Sequence, residues 1–297
     1  MSKKTGFIEN SKKGAKFFSA AGKYCYVPPG HYYSPVVNID EAKQREDKIW
    51  KEDKNIKGID LHVDEQKDLL AGFRKYYEEM PFGDAKKEGM RYYFDNSFYT
   101  YTDGIMLYCM MRHFKPKNII EVGSGFSSAV MMDTRDAFKL DTKLGFIEPY
   151  PERLFSLMSE KDKQDNDVLV KDIQEVPLSY FEKLGKNDML FIDSTHVSKT
   201  GSDVNYLFFE VLPILKEGVL VHIHDVFATF EYPRDWVYEG RSWNEDYMLR
   251  AFLMYNDSFR IKLFSNYIHK FYSDYFKDLP LCYNNTGGNI WIERTKV

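Results

Sequence analysis

The residues best suited to chemistry gather at four places in the second half of this 297-residue chain. The first is the run Glu121-Val122-Gly123-Ser124-Gly125-Phe126-Ser127-Ser128. Gly123 and Gly125 let a strand turn sharply into a helix, and they let a ligand approach with no Cβ in the way. The helix start adds free N–H groups, with Ser124 and Ser127 in the same turn. A dinucleotide turn of the form Gly-x-Gly-x-x-Gly would carry a third glycine where Ser128 stands. The acidic Glu121 would repel a pyrophosphate but suits a ligand carrying an amine and a sulfonium. The second place is Glu148, 25 residues after Gly123. An acid at the end of the next strand accepts hydrogen bonds from ribose hydroxyls. The third is Asp172-Ile173, where a carboxylate beside a backbone N–H can read an adenine amino group and ring nitrogen. Read residue by residue, these features fit NAD as well as S-adenosylmethionine (SAM). Each also has a plain structural reading, as a packing glycine, a solvated loop acid or a turn aspartate.

The fourth place is a cluster of acids and histidines. One run ends Ile192-Asp193-Ser194-Thr195-His196 and another ends His222-Ile223-His224-Asp225. At the carboxyl edge of neighbouring strands, Asp193, His224 and Asp225 would converge on one point. His222 shares a strand face with His224 but lies deeper, as a core histidine would. His31-Tyr32-Tyr33 and Asp95-Asn96 are weaker candidates, equally explained as loop packing.

Positioning these residues takes a parallel α/β sheet. Short apolar runs alternate with amphipathic helices after about residue 115. The expected strands are Asn118–Val122, Leu144–Ile147, Val168–Val170, Met189–Ile192, Val219–Ile223, Arg260–Phe264 and Asn289–Glu293. The expected helices run from Ser127 or Ser128 to Leu140, from Pro151 to Met158, over Pro177–Leu184, over residues 204–215 behind a Ser202 or Asp203 cap, and over Glu245–Tyr255. Val204, Leu207, Phe208, Val211, Leu212 and Leu215 mark the fourth of these by their spacing. The fold class is therefore α/β: a doubly wound, Rossmann-like sheet of seven strands with an N-terminal, mainly helical cap. The cap is expected over residues 1–115, with helices near Asp64–Met80 and Asp103–His113, and the ligand-binding domain over residues 116–297.

The bulk properties exclude several classes. The net charge of −4 offers no basic stripe for a nucleic acid. The lysine pairs Lys3-Lys4 and Lys12-Lys13 read as a solvated terminus. Three scattered cysteines, Cys25, Cys109 and Cys282, form no zinc or disulfide spacing, so a reducing, cytoplasmic setting is expected. No run approaches the ~18 apolar residues of a membrane span. The expected partner is a small-molecule substrate; the sequence is silent on oligomeric state and compatible with a homo-oligomer.

Taken together, Glu121-Val122-Gly123-Ser124-Gly125, Glu148, Asp172 and Asp193 resemble the class I SAM-dependent methyltransferases over roughly residues 90–297. With His31-Tyr32-Tyr33-Ser34-Pro35 and Val221–Asp225, the pattern looks like a bacterial subgroup of that superfamily, distantly similar to catechol-type and macrolide-sugar O-methyltransferases. The resemblance implies SAM as cofactor, held by Glu121, Gly123, Ser124, Gly125, Ser127, Glu148, Asp172, Ile173 and Asp193. It also implies a divalent metal (Mg, Mn or Fe) on Asp193, His224 and Asp225, although a His-plus-carboxylate set differs from the usual all-oxygen one. His196 stands where the catechol-type enzymes carry a lysine base, and an imidazole of ordinary pKa near 6.5 can accept a hydroxyl proton. Asp193, His196 and His224 are then the expected catalytic groups, for O-methylation of a small hydroxylated molecule such as a sugar. Metal-dependent oxidation on the same fold, a non-catalytic binding module of a biosynthetic complex, and a NAD dehydrogenase are the competing readings.

Overall fold

A computed structural model describes residues 22–296, so both lysine pairs near the start lie outside the described residues. The chain divides into two compact units. One takes in residues up to Glu52 together with Tyr232–Trp243, and the other takes in Asp53–Glu231 together with the stretch from Asn244 onward. Residues 53–115, assigned to the cap from sequence, thus lie in the same unit as the sheet.

The smaller unit holds the short helices Ile39–Gln44, Glu46–Ile49 and Arg234–Tyr238. Asn38 caps the first by accepting the N–H groups of Asp40 and Glu41. Trp50 Nε1 ties this segment to the second by donating to the Tyr232 carbonyl at 2.7 Å. Tyr32 and Tyr33 of this unit are exposed.

The larger unit is built on seven strands: β1 Asn118–Val122, β2 Lys143–Ile147, β3 Asp167–Leu169, β4 Met189–Ile192, β5 Leu220–His224, β6 Phe259–Phe264 and β7 Asn289–Arg294. Their order is β3-β2-β1-β4-β5-β7-β6. β1 to β5 are parallel, while β7 runs antiparallel to both β5 and β6. All of β4 and β5 is buried, as expected of strands covered on both faces. Strand order reverses at β1, between β2 and β4, and this is the place where an open α/β sheet offers its ligand crevice.

Two polar knots fix the sheet's surroundings. At the bottom, Asp188 accepts the N–H groups of Lys117 and Asn118, each at 2.8 Å, and so registers the start of β1 against β4. At the flank, Arg91 bonds Asp133 at 2.7 Å and Asp162 at 2.5 Å. It thereby joins the helices Phe126–Phe138 and Glu160–Asp165. Helix Val63–Tyr77 buries Leu70 and Phe73, and helix Tyr101–Phe114 is buried along most of its length.

The structure also departs from expectation locally. The helix after the glycine turn starts from Gly125, not from a serine cap, and Ser128 reaches back to accept the Gly125 N–H at 3.0 Å. The helix expected over 177–184 shrinks to a single 3₁₀ turn, Leu178–Tyr180, whose tyrosine hydroxyl bonds Asp167 at 2.7 Å. The long helix from Asp203 opens into a π-turn over Leu207–Val211 just before Pro213. Proline has no N–H for the carbonyl four residues back and its ring crowds that carbonyl, so a wider turn relieves the strain.

Candidate functional site

The carboxyl ends of β1 to β4 enclose a cavity of about 420 Å³, ample for a nucleoside-sized ligand. Its wall includes Val122 and Gly123 after β1, Ile147 to Tyr150 after β2, Asp172 to Gln174 after β3, and Asp193 to Thr195 after β4. Lys199 and Gly201 to Asp203 complete it. Gly123 has φ +79°, and an added Cβ would run into the Asp193 carbonyl oxygen. Glycine is thus required here for β1 to turn away beside β4. Glu148 is held by two amides: Ser124 N–H donates to Oε2 at 3.0 Å and Tyr150 N–H to Oε1 at 2.8 Å. Each carboxylate oxygen keeps a lone pair for a further donor, as a ribose diol would supply. The wall carries four carboxylates, Glu148, Asp172, Asp193 and Asp203, against one lysine. Such a wall disfavours a pyrophosphate and favours a cationic amine and sulfonium. These residues fit SAM.

Of the expected cofactor residues, Gly123, Glu148, Asp172, Ile173 and Asp193 line this cavity, and Ser124 acts by orienting Glu148. Glu121, Gly125 and Ser127 do not line it. Glu121 is fully buried and takes the Ser128 hydroxyl. Burial raises its carboxyl from an ordinary 4.5 to about 8, against the pull of Ser127, Ser128 and Ser124. A neutral, inward-facing acid offers no counter-charge to a ligand, so the acid before the turn serves the turn itself.

Beyond Asp193 the acid and histidine cluster is compact. His196 Nε2 lies 3.5 Å from Asp193 Oδ1 and 3.5 Å from Asp225 Oδ2. Its Nδ1 lies 2.9 Å from Glu245 Oε2. His224 Nε2 lies 3.5 Å from Asp225 Oδ1. His196 and Asp225 both adopt left-handed backbone, at φ +60° and +55°. Non-glycine residues hold that conformation at a cost of about 1–3 kcal/mol, and such strain collects at functional sites. Burial works against charge on His196, but Asp193 and Glu245 outweigh it and hold the imidazole well above its usual pKa. Desolvation pushes Asp193 up, yet His224 and His196 bring it below its ordinary value. His224 is raised, burial being overcome by Asp225, Asp193 and Asp103.

The metal set implied by the resemblance does not fit. Among the described residues, no three of His, Cys, Asp and Glu come together in a geometry that could hold a metal ion. His222 is a core residue: Phe191 stacks on it at 4.0 Å and Trp291 lies at 4.6 Å, and neither nitrogen has a partner among the described residues. Asn96 holds its own loop, donating to the carbonyls of Tyr93 and Tyr99 and accepting the N–H groups of Phe98 and Tyr99.

Sequence reasoning missed Glu245, Asp203 and Lys199. Glu245 looks like any acid in a helix's first turn, and 49 residues separate it from His196. Asp203 was read only as a cap, yet its carboxylate accepts Thr195 N–H and the Thr195 hydroxyl, both at 2.7 Å, and so shapes the loop after β4.

A methyltransferase domain family model matches residues 120–226, the stretch from β1 through β5. A protein of Archaeoglobus fulgidus known only as uncharacterized is 33% identical over 165 residues, covering 54% of this chain and 74% of that one. Among solved structures, the chain resembles the SAH-bound methyltransferase PaMTH1 of Podospora anserina, with TM-score 0.44 and 15% identity, covering 87% of this chain and 97% of that one. It also resembles the apo form of CmcI-N160, with TM-score 0.43 and 16% identity, covering 75% and 84%. The family match falls on the same stretch as the parallel strands and the acid-lined cavity at the β1 switch point, so residues 120–226 are a methyltransferase domain.

Proposed function

We propose that the protein methylates an oxygen of a small hydroxylated molecule, such as a sugar, using SAM. The observation that carries this reading is the position of Asp193, which lines the cofactor cavity on one side and meets His196 on the other. When bound, SAM supplies an electrophilic methyl whose bond to sulfur breaks, the pair going to sulfur, as the acceptor oxygen attaches.

The chain's own part is to align the acceptor and manage its proton. A hydroxyl placed beside Asp193 meets two carboxylates and an imidazole. Because His196 has carboxylates at both nitrogens, it works as one member of a proton-sharing cluster and not as a lone base. The hydroxyl proton passes to a carboxylate oxygen of Asp193 or Asp225, and the charge left on the cluster is spread over His196 and His224.

Calorimetric titration with SAM and S-adenosylhomocysteine (SAH) tests the cofactor site. We expect micromolar-range binding by the parent and a loss of about tenfold or more for Glu148→Ala, which removes the anchored ribose acceptor. A parent that binds neither ligand sinks the proposal.

A further inference from the structure

We propose that Arg153 is a carboxylate-binding residue of this site. It stands beside the glycine turn to pair with the acid of a reactant, either the carboxylate at the cofactor's amino-acid end or an acidic group on the acceptor. The inference deepens the proposed function and rests on its reading of the cavity as the SAM site.

Packing, not an acid, holds the guanidinium in place. Arg153 stands in the first turn of the helix Glu152–Leu157, just after Tyr150 of the cavity wall. Its guanidinium carbon lies 3.7 Å from the centre of the Phe98 ring. Phe98 stacks on Phe126 at 5.9 Å, and Phe126 meets Tyr93 edge-on at 5.6 Å. The Arg153 Cδ lies 3.0 Å from where a Cβ on Gly125 would stand. Gly125 has φ 179°, extended backbone that any residue adopts, so a side chain there would chiefly take the room that Arg153 uses. Among the described residues, Arg153 has no carboxylate within ion-pair distance. Its side chain is exposed, and a guanidinium laid over a ring keeps its in-plane N–H donors for a planar acceptor.

The charge balance of the cavity calls for such a group. The four wall carboxylates suit the amine and sulfonium of SAM but repel its carboxylate. The wall's own cation, Lys199, belongs to a loop on the β3 side, where the Gly201 carbonyl takes the Gln174 amide at 2.8 Å, close to Asp172. Arg153 stands instead by the glycine turn, where the Ser124 N–H holds the ribose acceptor Glu148 at 3.0 Å. Its charge also reaches Asp193. A carboxylate lying over the turn therefore meets a guanidinium that is already packed in place, and pairing orders little more of the side chain.

The test is calorimetric titration of the full-length parent, Arg153→Met and Arg153→Lys with SAM and with decarboxylated SAM. The second ligand keeps the amine and the sulfonium and lacks only the carboxylate. Arg153→Met is expected to weaken SAM about tenfold and to leave the decarboxylated form at least as tightly bound, which assigns the carboxylate to the cofactor. Arg153→Lys keeps a charge and is expected to bind SAM more tightly than Arg153→Met does. If Arg153→Met binds SAM as the parent does, SAH-saturated protein is titrated with D-glucuronate and with D-glucose. Binding of the acid alone, lost in Arg153→Met, assigns the carboxylate to the acceptor. The inference is overturned if Arg153→Met matches the parent for SAM and neither protein prefers the acid. Equal weakening of both cofactor forms in a variant that circular dichroism shows to be folded overturns it too, since Arg153 then supports the cavity and not a carboxylate. Equal loss of SAM in Arg153→Lys and Arg153→Met does the same, because charge is then not what the site uses. A parent that binds neither form of SAM sinks the cofactor reading, and the inference with it, whereas the other results leave that reading standing.

Discussion

Glu121 shows how a residue can keep its place in a motif while changing its job. It sits before the glycine turn, where an acid looks ready for a cationic ligand, yet it points into the core and takes the Ser128 hydroxyl. Its carboxyl is raised by burial to about 8. An acid whose folded pKa lies above its unfolded value contributes most below the unfolded value, here about 4.5, and loses that contribution as pH rises towards 8. Glu121→Gln keeps an acceptor for Ser128 and removes the ionisation. Near pH 5 the variant and parent are expected to unfold at similar urea concentrations. At pH 8.5 the variant is expected to be more stable, by an amount on the order of 4 kcal/mol at most. An unchanged difference across that range would mean that Glu121 ionises normally in the folded protein. Gly123 illustrates the opposite case, a position whose role is fixed by backbone alone: φ of +79° and contact with the Asp193 carbonyl leave no room for a side chain.

At the scale of elements, the arginine knot decides whether the helices stay registered on the sheet. Arg91 holds Asp133, whose side chain is 1% exposed, and Asp162 at the start of a second helix. Arg91→Met would leave Asp133 with only the Arg91 and Tyr92 N–H groups. Breaking a buried pair costs about 3–5 kcal/mol, and the lower end, about 3 kcal/mol, is expected here because the guanidinium is 18% exposed. Chemical denaturation measures it; a loss below about 1 kcal/mol would show that the knot is a surface pair in effect. The strands were legible in the sequence because most are short, largely buried apolar runs, and all seven stand within two residues of where the apolar pattern places them. The helix Ser265–Tyr272 was not legible: it follows β6 with no Gly or Pro between, and its aromatic and β-branched residues are weak helix formers. The π-turn before Pro213 was hidden because the apolar spacing continues across it. Within the site, Gly123, Glu148 and Asp193 were legible because each ends or follows a strand. Glu245 was not, since its meaning lies in a partner reached only through the fold.

The whole molecule sets where ligand energy can be felt. Every residue of the cofactor cavity, and every member of the His196 cluster, belongs to the unit that carries the sheet. The cavity is assembled from the ends of four strands that are far apart in sequence, so a ligand bound there ties together segments that otherwise meet only through the sheet. Binding to the folded form alone stabilises it by RT ln(1 + [L]/Kd), about 2.7 kcal/mol when ligand stands at 100 times Kd. Amide hydrogen exchange with and without SAH reads where that stabilisation lands. Protection is expected to rise around 122–126, 147–150, 172–174 and 193–203, and in β1 and β4, whose opening requires the cavity to come apart. Residues 22–52 and 232–243 form the other unit and are expected to exchange at unchanged rates, because none of their backbone contributes to the cavity wall. Protection that rose equally in both units would mean that the smaller one folds and opens together with the cofactor domain. The active unit would then extend beyond the residues that line its cavity.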